Sequence, residues 1–170
     1  VRGAVRWFGG SSSDSGVAES ASTRNGSRDE QAIFQAAMQT GAEGSFEIRA
    51  SNYPIKTLDT EYALFCTSRD DILAQGAPDV EKMTIVGFEP IIDDNSGVFV
   101  HHYTVSGSLS TNNGFSQNCG GDFEEMFELT YVWAPGDGPF ALPDYLGAPF
   151  GGIDGFQSFT LEIHYNNPDG

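Results

Sequence analysis

The chain has 170 residues, with 8 Lys and Arg against 24 Asp and Glu, which gives a formal net charge of −16 at pH 7. Its length suits one domain with a hydrophobic core, and a hydrophobic content of 39% excludes a wholly disordered protein. The negative charge repels phosphate backbones, so no nucleic-acid binding is expected. No apolar run approaches the roughly 20 residues that a membrane-spanning helix needs, so no membrane span is expected.

The amino-terminal part of the chain is predicted to be a linker or tail that carries one helix. Residues 1–28 are rich in Ser and Gly, a composition typical of linkers and of tails that lie against another part of a protein. The helix is expected at about 28–40, because Ser27 and Glu30 have the spacing of a capping box and Gly41 supplies a stop. Its apolar positions fall on one face, at Ile33, Phe34, Ala37 and Met38.

The rest of the chain has the period of two that is typical of β-strands. Short segments rich in Val, Ile, Phe, Tyr and Thr alternate with clusters of turn-forming residues, and no helix intervenes. This pattern predicts an all-β domain over residues 45–170, an antiparallel jelly-roll-like β-sandwich, with residues 1–44 and their helix outside it. Strands are predicted at residues 45–50, 61–66, 82–89, 97–107, 126–134 and 157–166.

The two cysteines, Cys66 and Cys119, allow one intrachain disulfide, and their spacing fits neither a zinc knuckle nor a Cys-x-x-Cys redox site. The alternative is a pair of buried thiols in a cytosolic protein. A low content of basic residues, Gly-rich loops and a glycosylation sequon at Asn25 favour an oxidising compartment. We therefore expect the disulfide and a secreted protein or one in the lumen of the secretory pathway.

Three histidines are predicted to lie in two adjacent strands: His101, His102 and His164. In the last strand the alternating apolar residues face the core, so His164 points to solvent or into a cleft. Three imidazoles form a complete ligand set for a metal ion that keeps one position open. Imidazole suits zinc, copper, iron and nickel alike. The alternative for each histidine alone is a surface polar residue or a core imidazole with its hydrogen bonds satisfied.

The neighbouring pair His101 and His102 poses a geometric problem. Adjacent residues of an ideal strand project to opposite faces, so both rings reach one ion only where the strand twists or bulges. We also expect the two rings to coordinate through different nitrogens, one by Nδ1 and the other by Nε2. The metal-site prediction requires that these two rings and the ring of His164 converge on one point.

Four segments stand out by their order and spacing: DTEYALFC at 59–66, VHHY at 100–103, YVWAPG at 131–136 and LEIHYNNP at 161–168. Together with the proline- and glycine-containing loop at 142–152, this ordered set resembles the amino-terminal domain of the copper type II, ascorbate-dependent monooxygenases. That family includes peptidylglycine α-hydroxylating monooxygenase and dopamine β-hydroxylase. The resemblance covers about residues 51–168, and residues 1–50 gain nothing from it.

The resemblance implies that His101, His102 and His164 are the ligands of the family's electron-transfer copper. It also implies that Cys66 and Cys119 form one of the family's disulfides and that the fold is a jelly-roll-like β-sandwich. In the parent enzyme, ascorbate is expected to supply electrons and O2 to be the co-substrate in the hydroxylation of an aliphatic C–H bond.

Two functions follow from these observations. In the first, the chain is the copper-binding domain of a secreted monooxygenase whose partner is a second copper domain. This chain is expected to lack that second domain, because it has no fourth histidine, and full activity is not expected of the chain alone. In the second, it is a structural or interaction module of a larger extracellular assembly, with a retained or vestigial metal site. The acidic, Gly- and Ser-rich composition favours the second function, and the intact set of three histidines favours the first.

Overall fold

The computed structural model of the chain describes residues 3–10, 44–50, 52–56, 60–77, 79, 81–93, 97–109, 128–143, 146–167 and 169. These residues form an all-β, antiparallel, sandwich-like fold, as the sequence predicts. The predicted helix at about 28–40, the sequon at Asn25 and the second cysteine, Cys119, lie outside the described residues. The connectivity that defines a jelly roll stays a prediction.

Within the described residues the chain forms nine strands and one short helix. In chain order they are β1 (Gly3–Gly10), β2 (Gly44–Arg49), β3 (Glu61–Ser68), α1 (Arg69–Ala74), β4 (Lys82–Ile92), β5 (Val100–Ser108), β6 (Glu128–Trp133), β7 (Phe140–Ala141), β8 (Ala148–Gly151) and β9 (Ser158–Tyr165). The first sheet has the order β2-β1-β4-β7, with β8 also paired to β4, and the second has the order β3-β9-β5-β6. Among the described residues, no helix is long and apolar enough to cross a bilayer.

The strand β1 lies within residues 1–28, which the sequence predicts to be a linker or a tail that lies against another part of the protein, and no strand is predicted there. β1 pairs with β2 on one side and β4 on the other, with Trp7 opposite both Phe46 and Phe88. Two flanking strands thus supply the backbone hydrogen bonds of a short segment whose local pattern is weak, because tertiary pairing overrides local strand propensity. The domain boundary at residue 45 stays a prediction, and β1 precedes it in the chain.

The core lies between the two sheets and confirms the predicted inward face of β9. Four alternating residues of this strand have no exposed surface: Phe159, Leu161, Ile163 and Tyr165. From the other sheet, the ring of Phe46 packs against Phe159, with ring centroids 6.1 Å apart, and Phe150 stacks on the same ring at 5.1 Å. Because alternate side chains of a strand point to opposite faces, this packing leaves His164 on the outer face of the second sheet.

Candidate metal centre

The three histidines come from two neighbouring strands in the middle of the second sheet. His101 and His102 lie near the start of β5, and His164 lies near the end of β9. In the ladder between these strands, Val100 is opposite Tyr165 and His102 is opposite His164, so His101 is an extra residue on β5. This is a β-bulge, the irregularity that the adjacent histidines required.

The bulge brings the three rings together. The Nδ1 atoms of His101 and His102 are 3.0 Å apart, and the Nδ1 atoms of His102 and His164 are 3.2 Å apart. One ring nitrogen from each residue lies within 4.8 Å of the other two. The facing nitrogens are therefore Nδ1 in all three rings. The expectation that His101 and His102 coordinate a metal ion through different nitrogens stays a prediction.

Hydrogen bonds between the rings cannot account for all three facing Nδ1 atoms. A neutral imidazole nitrogen carries either one proton or one lone pair in the ring plane, so Nδ1 of His102 serves one neighbour and not two. A first-row metal ion bonds imidazole at about 2.0–2.1 Å, so nitrogens about 2.9–4.2 Å apart can share one ion. The separations of 3.0 and 3.2 Å fall in that range. Because all three ligand atoms lie within 4.8 Å of one another, the set could hold a single metal ion.

The burial of His164 favours a neutral ring with a free lone pair at this position. His102 and His164 are half-buried and His101 is exposed, so the cluster is open to solvent on one side. Burial lowers the pKa of His164 below its usual value, and electrostatic repulsion between its protonated ring and the neighbouring imidazoles of His102 and His101 lowers it further. His164 is therefore neutral at neutral pH, which is the state that binds a metal ion.

Tyr62 is a neighbour of the cluster that the sequence did not reveal. It lies on β3 directly opposite His164, and the two rings are stacked with centroids 4.6 Å apart and planes 22° from parallel. The segment around it was predicted to be a strand, but the pairing register that sets Tyr62 beside His164 is not visible in a single sequence.

The residue before Tyr62, Glu61, is a buried carboxylate at the start of β3. It accepts hydrogen bonds from the hydroxyl of Tyr53 (2.6 Å) and the backbone N–H of Lys56 (3.0 Å), and it pairs with Nζ of Lys56 (3.1 Å). Burial, the hydrogen bond to Glu61 and the charge of that carboxylate together raise the pKa of Tyr53 to about 12. The ring of Tyr53 stacks on Tyr165, with centroids 5.4 Å apart. Tyr53 therefore links Glu61, at the start of β3, to the end of β9 that carries His164.

Cys66 lies further along β3 and is 1% exposed. Its Sγ atom is 3.6 Å from the hydroxyl oxygen of Thr160 on β9. Since Cys119 lies outside the described residues, the disulfide between the two cysteines stays a prediction.

A second concave region lies at the other end of the second sheet, past the end of β5 and before the start of β9. This groove has a volume of about 770 Å³ and is lined mainly by apolar side chains, among them Phe88, Leu109, Leu129 and Phe156. Its lining contains no histidine or cysteine. Among the described residues, the group of potential metal ligands that lie close together is the cluster of three histidines.

Comparison with known proteins agrees with this geometry. The sequence matches the family described as copper type II ascorbate-dependent monooxygenase, N-terminal domain, over residues 46–170. It is 30% identical to the dopamine beta-hydroxylases of Equus caballus and Bos taurus, over 132 residues that cover 73% of this chain and 20% of each relative. It is 32% identical to the tyramine beta-hydroxylase of Caenorhabditis briggsae, over 50% of this chain and 15% of that protein.

The chain therefore spans about one fifth of the length of the first curated relatives that it matches. The family match nevertheless includes every strand of the second sheet and all three histidines. This chain belongs to the copper type II ascorbate-dependent monooxygenase family, whose amino-terminal domain it contains.

Proposed function

We propose that the chain is the electron-transfer, copper-binding domain of an ascorbate-dependent monooxygenase, and that His101, His102 and His164 hold the copper. The observation that carries this proposal is the convergence of three Nδ1 atoms, with separations of 3.0 and 3.2 Å, on one point of the outer sheet face. Copper bound there would supply one-electron redox chemistry, which would link the oxidation of ascorbate to the hydroxylation of an aliphatic C–H bond by O2.

The chain's own residues support this role in two ways. The bulge at His101 directs two adjacent side chains to one point, which an ideal strand does not allow. The cluster also lies on strands whose inner faces are fully buried, so the ligands stand on a rigid support and their solvent side stays open to a small reductant.

Several further properties belong to the same proposal. The parent protein acts in the secretory pathway or outside the cell, where a disulfide between Cys66 and Cys119 and glycosylation at Asn25 are chemically consistent. A second copper domain is its partner, which the greater length of the relatives supports. The domain proper is proposed to occupy residues 45–170 and the helix predicted at about 28–40 to lie outside it, while β1, from the preceding residues 1–44, adds a strand to its first sheet.

Copper binding by a variant of one ligand tests the proposal. We expect the purified chain to bind one copper, and His164→Ala to weaken binding by roughly two orders of magnitude or more, because loss of a partner outside the ligand set already costs about 10- to 100-fold. Elemental analysis gives the stoichiometry, and competition with a chelator gives the dissociation constant. Asn166→Ala is a matched control, because this exposed residue bonds to Phe99 through its backbone N–H alone.

An affinity that is the same in His164→Ala and in the wild type would contradict the ligand set. A wild-type chain that binds no copper would favour the second function, a structural or interaction module of an extracellular assembly with a vestigial site. Ascorbate reduction of the bound metal, followed by loss of the Cu(II) electron paramagnetic resonance signal, tests the redox role separately.

A further inference from the structure

Three aromatic side chains form a row across the outer face of the second sheet: Tyr62 on β3, His164 on β9 and His102 on β5. They are in register, since Tyr62 and His102 each lie opposite His164 on either side of β9. The ring centroids along the row are 4.6 and 4.7 Å apart. These separations match the spacing of neighbouring strands, about 4.7–4.9 Å, so the sheet itself brings the rings into contact.

The central ring of this row lacks the usual support of a metal-binding histidine. Such a residue normally donates its second ring N–H to a carboxylate, a carbonyl or water, and this bond fixes the ring orientation. The second ring nitrogen of His164, Nε2, is buried and has no hydrogen-bond partner among the described residues. The torsion that rotates a histidine ring about its Cβ–Cγ bond has broad minima, so something else must limit it.

The stacked ring of Tyr62 is the contact that meets this need. Tyr62 is 55% exposed and points away from the core, so burial in the core does not account for its position. The ring plane of Tyr62 makes an angle of 22° with the ring plane of His164, whereas the ring of His102 meets the ring of His164 edge-on, at 85°. A flat contact on one side and an edge contact on the other confine the ring of His164 to one orientation.

We propose that Tyr62 is a positioning residue of the metal centre, which holds His164 with its Nδ1 toward the other two histidines by ring stacking in place of a hydrogen bond. This inference rests on the proposed function, because it assigns a role toward the copper that the three histidines hold. The ring performs the role and the hydroxyl does not, since the contact is between ring faces.

Two variants of Tyr62 separate the ring from the hydroxyl. Tyr62→Ala removes the stack, and we expect copper affinity to fall by roughly 10- to 100-fold, as for other residues that orient a ligand. Tyr62→Phe keeps the ring, and we expect its dissociation constant for copper to stay within about twofold of the wild-type value. Leu129→Ala is a matched control, because Leu129 is exposed to a similar degree, 58%, and lies on β6, away from the cluster.

The spectrum of bound Cu(II) and its midpoint potential are the readouts that a purely structural role would not move. We expect Tyr62→Ala to change the electron paramagnetic resonance parameters and the potential, and Tyr62→Phe and Leu129→Ala to leave both as in the wild type. The unfolding transition of each metal-free variant shows whether the fold is intact. Since Tyr62 is half-exposed, we expect that of Tyr62→Ala to stay close to the wild type.

Three results would overturn the inference. The first is a Tyr62→Ala chain with wild-type affinity, spectrum and potential. The second is a Tyr62→Phe chain as impaired as Tyr62→Ala, which would assign the effect to the hydroxyl. The third is an equal loss in Leu129→Ala. A wild-type chain that binds no copper is a different outcome, because it removes the proposed function itself.

Discussion

Glu61 combines two opposing effects on one carboxyl group at the start of β3. Its side chain is 8% exposed, and this burial raises the pKa by disfavouring the charged form. The hydrogen bonds from Tyr53 and from the backbone of Lys56, together with the charge of Lys56, outweigh burial and leave the pKa of Glu61 below its ordinary value. The carboxylate is therefore ionised in the folded protein and links Tyr53 and Lys56 to the start of β3.

The lowered pKa of Glu61 predicts how stability depends on pH. A group whose pKa is lower in the folded than in the unfolded chain stabilises the fold above its unfolded pKa, about 4.3 for Glu. This stabilisation is lost as the pH falls through the folded pKa. We expect Glu61→Gln to lower the free energy of unfolding by about 1–3 kcal/mol at pH 7, and the deficit to shrink as the pH falls below about 4. Urea denaturation at several pH values measures both.

Glu128→Gln is the control for this prediction. Glu128 is an exposed carboxylate at the start of β6, and its replacement is expected to change the free energy of unfolding little. A deficit in Glu61→Gln that stays constant from pH 7 to pH 3 would show that the lost contacts are packing contacts and not those of an ionised carboxylate.

At the scale of single elements, the strands that carry the histidines are those that the sequence could predict. In β9, four apolar residues alternate with Thr160, Glu162 and His164, and the predicted inner face is the one that is buried. The bulge in β5 could also be predicted, because two adjacent ligands on one strand cannot reach one ion without it. The alternation of apolar residues and the pair of adjacent histidines each lie within one short segment, so both can be recognised in a single sequence.

Other elements could not be predicted, because they depend on partners that are distant in the chain. β7, Phe140–Ala141, has two residues, too few to show a period. β1 is defined by β2 and β4, which follow it by tens of residues. The contact of Tyr62 with His164 depends on the register of β3 against β9, which joins segments about a hundred residues apart. The sequence could thus predict that the three histidines lie together, and it could not predict the contact of Tyr62 with one of them.

The turn that leads into β9 has a geometry that restricts substitution. Gly151 has a positive φ of 80°, and a Cβ added to Gly155 would lie 2.2 Å from the backbone oxygen of Gly151. Phe156 donates its N–H to Pro149, and Gly151 donates its N–H to Phe156. These contacts fix where β9 begins, and therefore which of its residues lie opposite His102 and Tyr62.

We expect Gly155→Ala to lower the free energy of unfolding by roughly 1–3 kcal/mol, because backbone atoms must move to admit the methyl group. Gly138→Ala is the matched control, since a Cβ at Gly138 meets no atom within 4 Å. It is expected to be neutral or slightly stabilising. Chemical denaturation measures the free energy of unfolding of both variants. Equal values would contradict the prediction, because they would mean that the turn accommodates a side chain at residue 155 without loss of stability.

At the scale of the whole molecule, charge governs the approach of a reductant to the metal centre. The chain has a formal net charge of −16, and one bound Cu(II) ion reduces this to −14. Ascorbate is an anion at neutral pH, so long-range repulsion opposes the encounter that the proposed function requires. If the chain has the proposed function, the rate of electron delivery from ascorbate is therefore expected to rise with ionic strength, because salt screens this repulsion.

We expect the rate constant for reduction of the bound Cu(II) by ascorbate to rise by about twofold or more when the ionic strength is raised from about 0.01 M to about 0.15 M, because the Debye length falls from about 30 to about 8 Å. Hexaammineruthenium(II), a cation, should show the opposite trend on the same protein. Stopped-flow absorbance measures both rates. Rates that are unaffected by salt, or that change in the same direction for both reductants, would mean that local contacts at the exposed edge of His101 control the reaction and that the net charge does not.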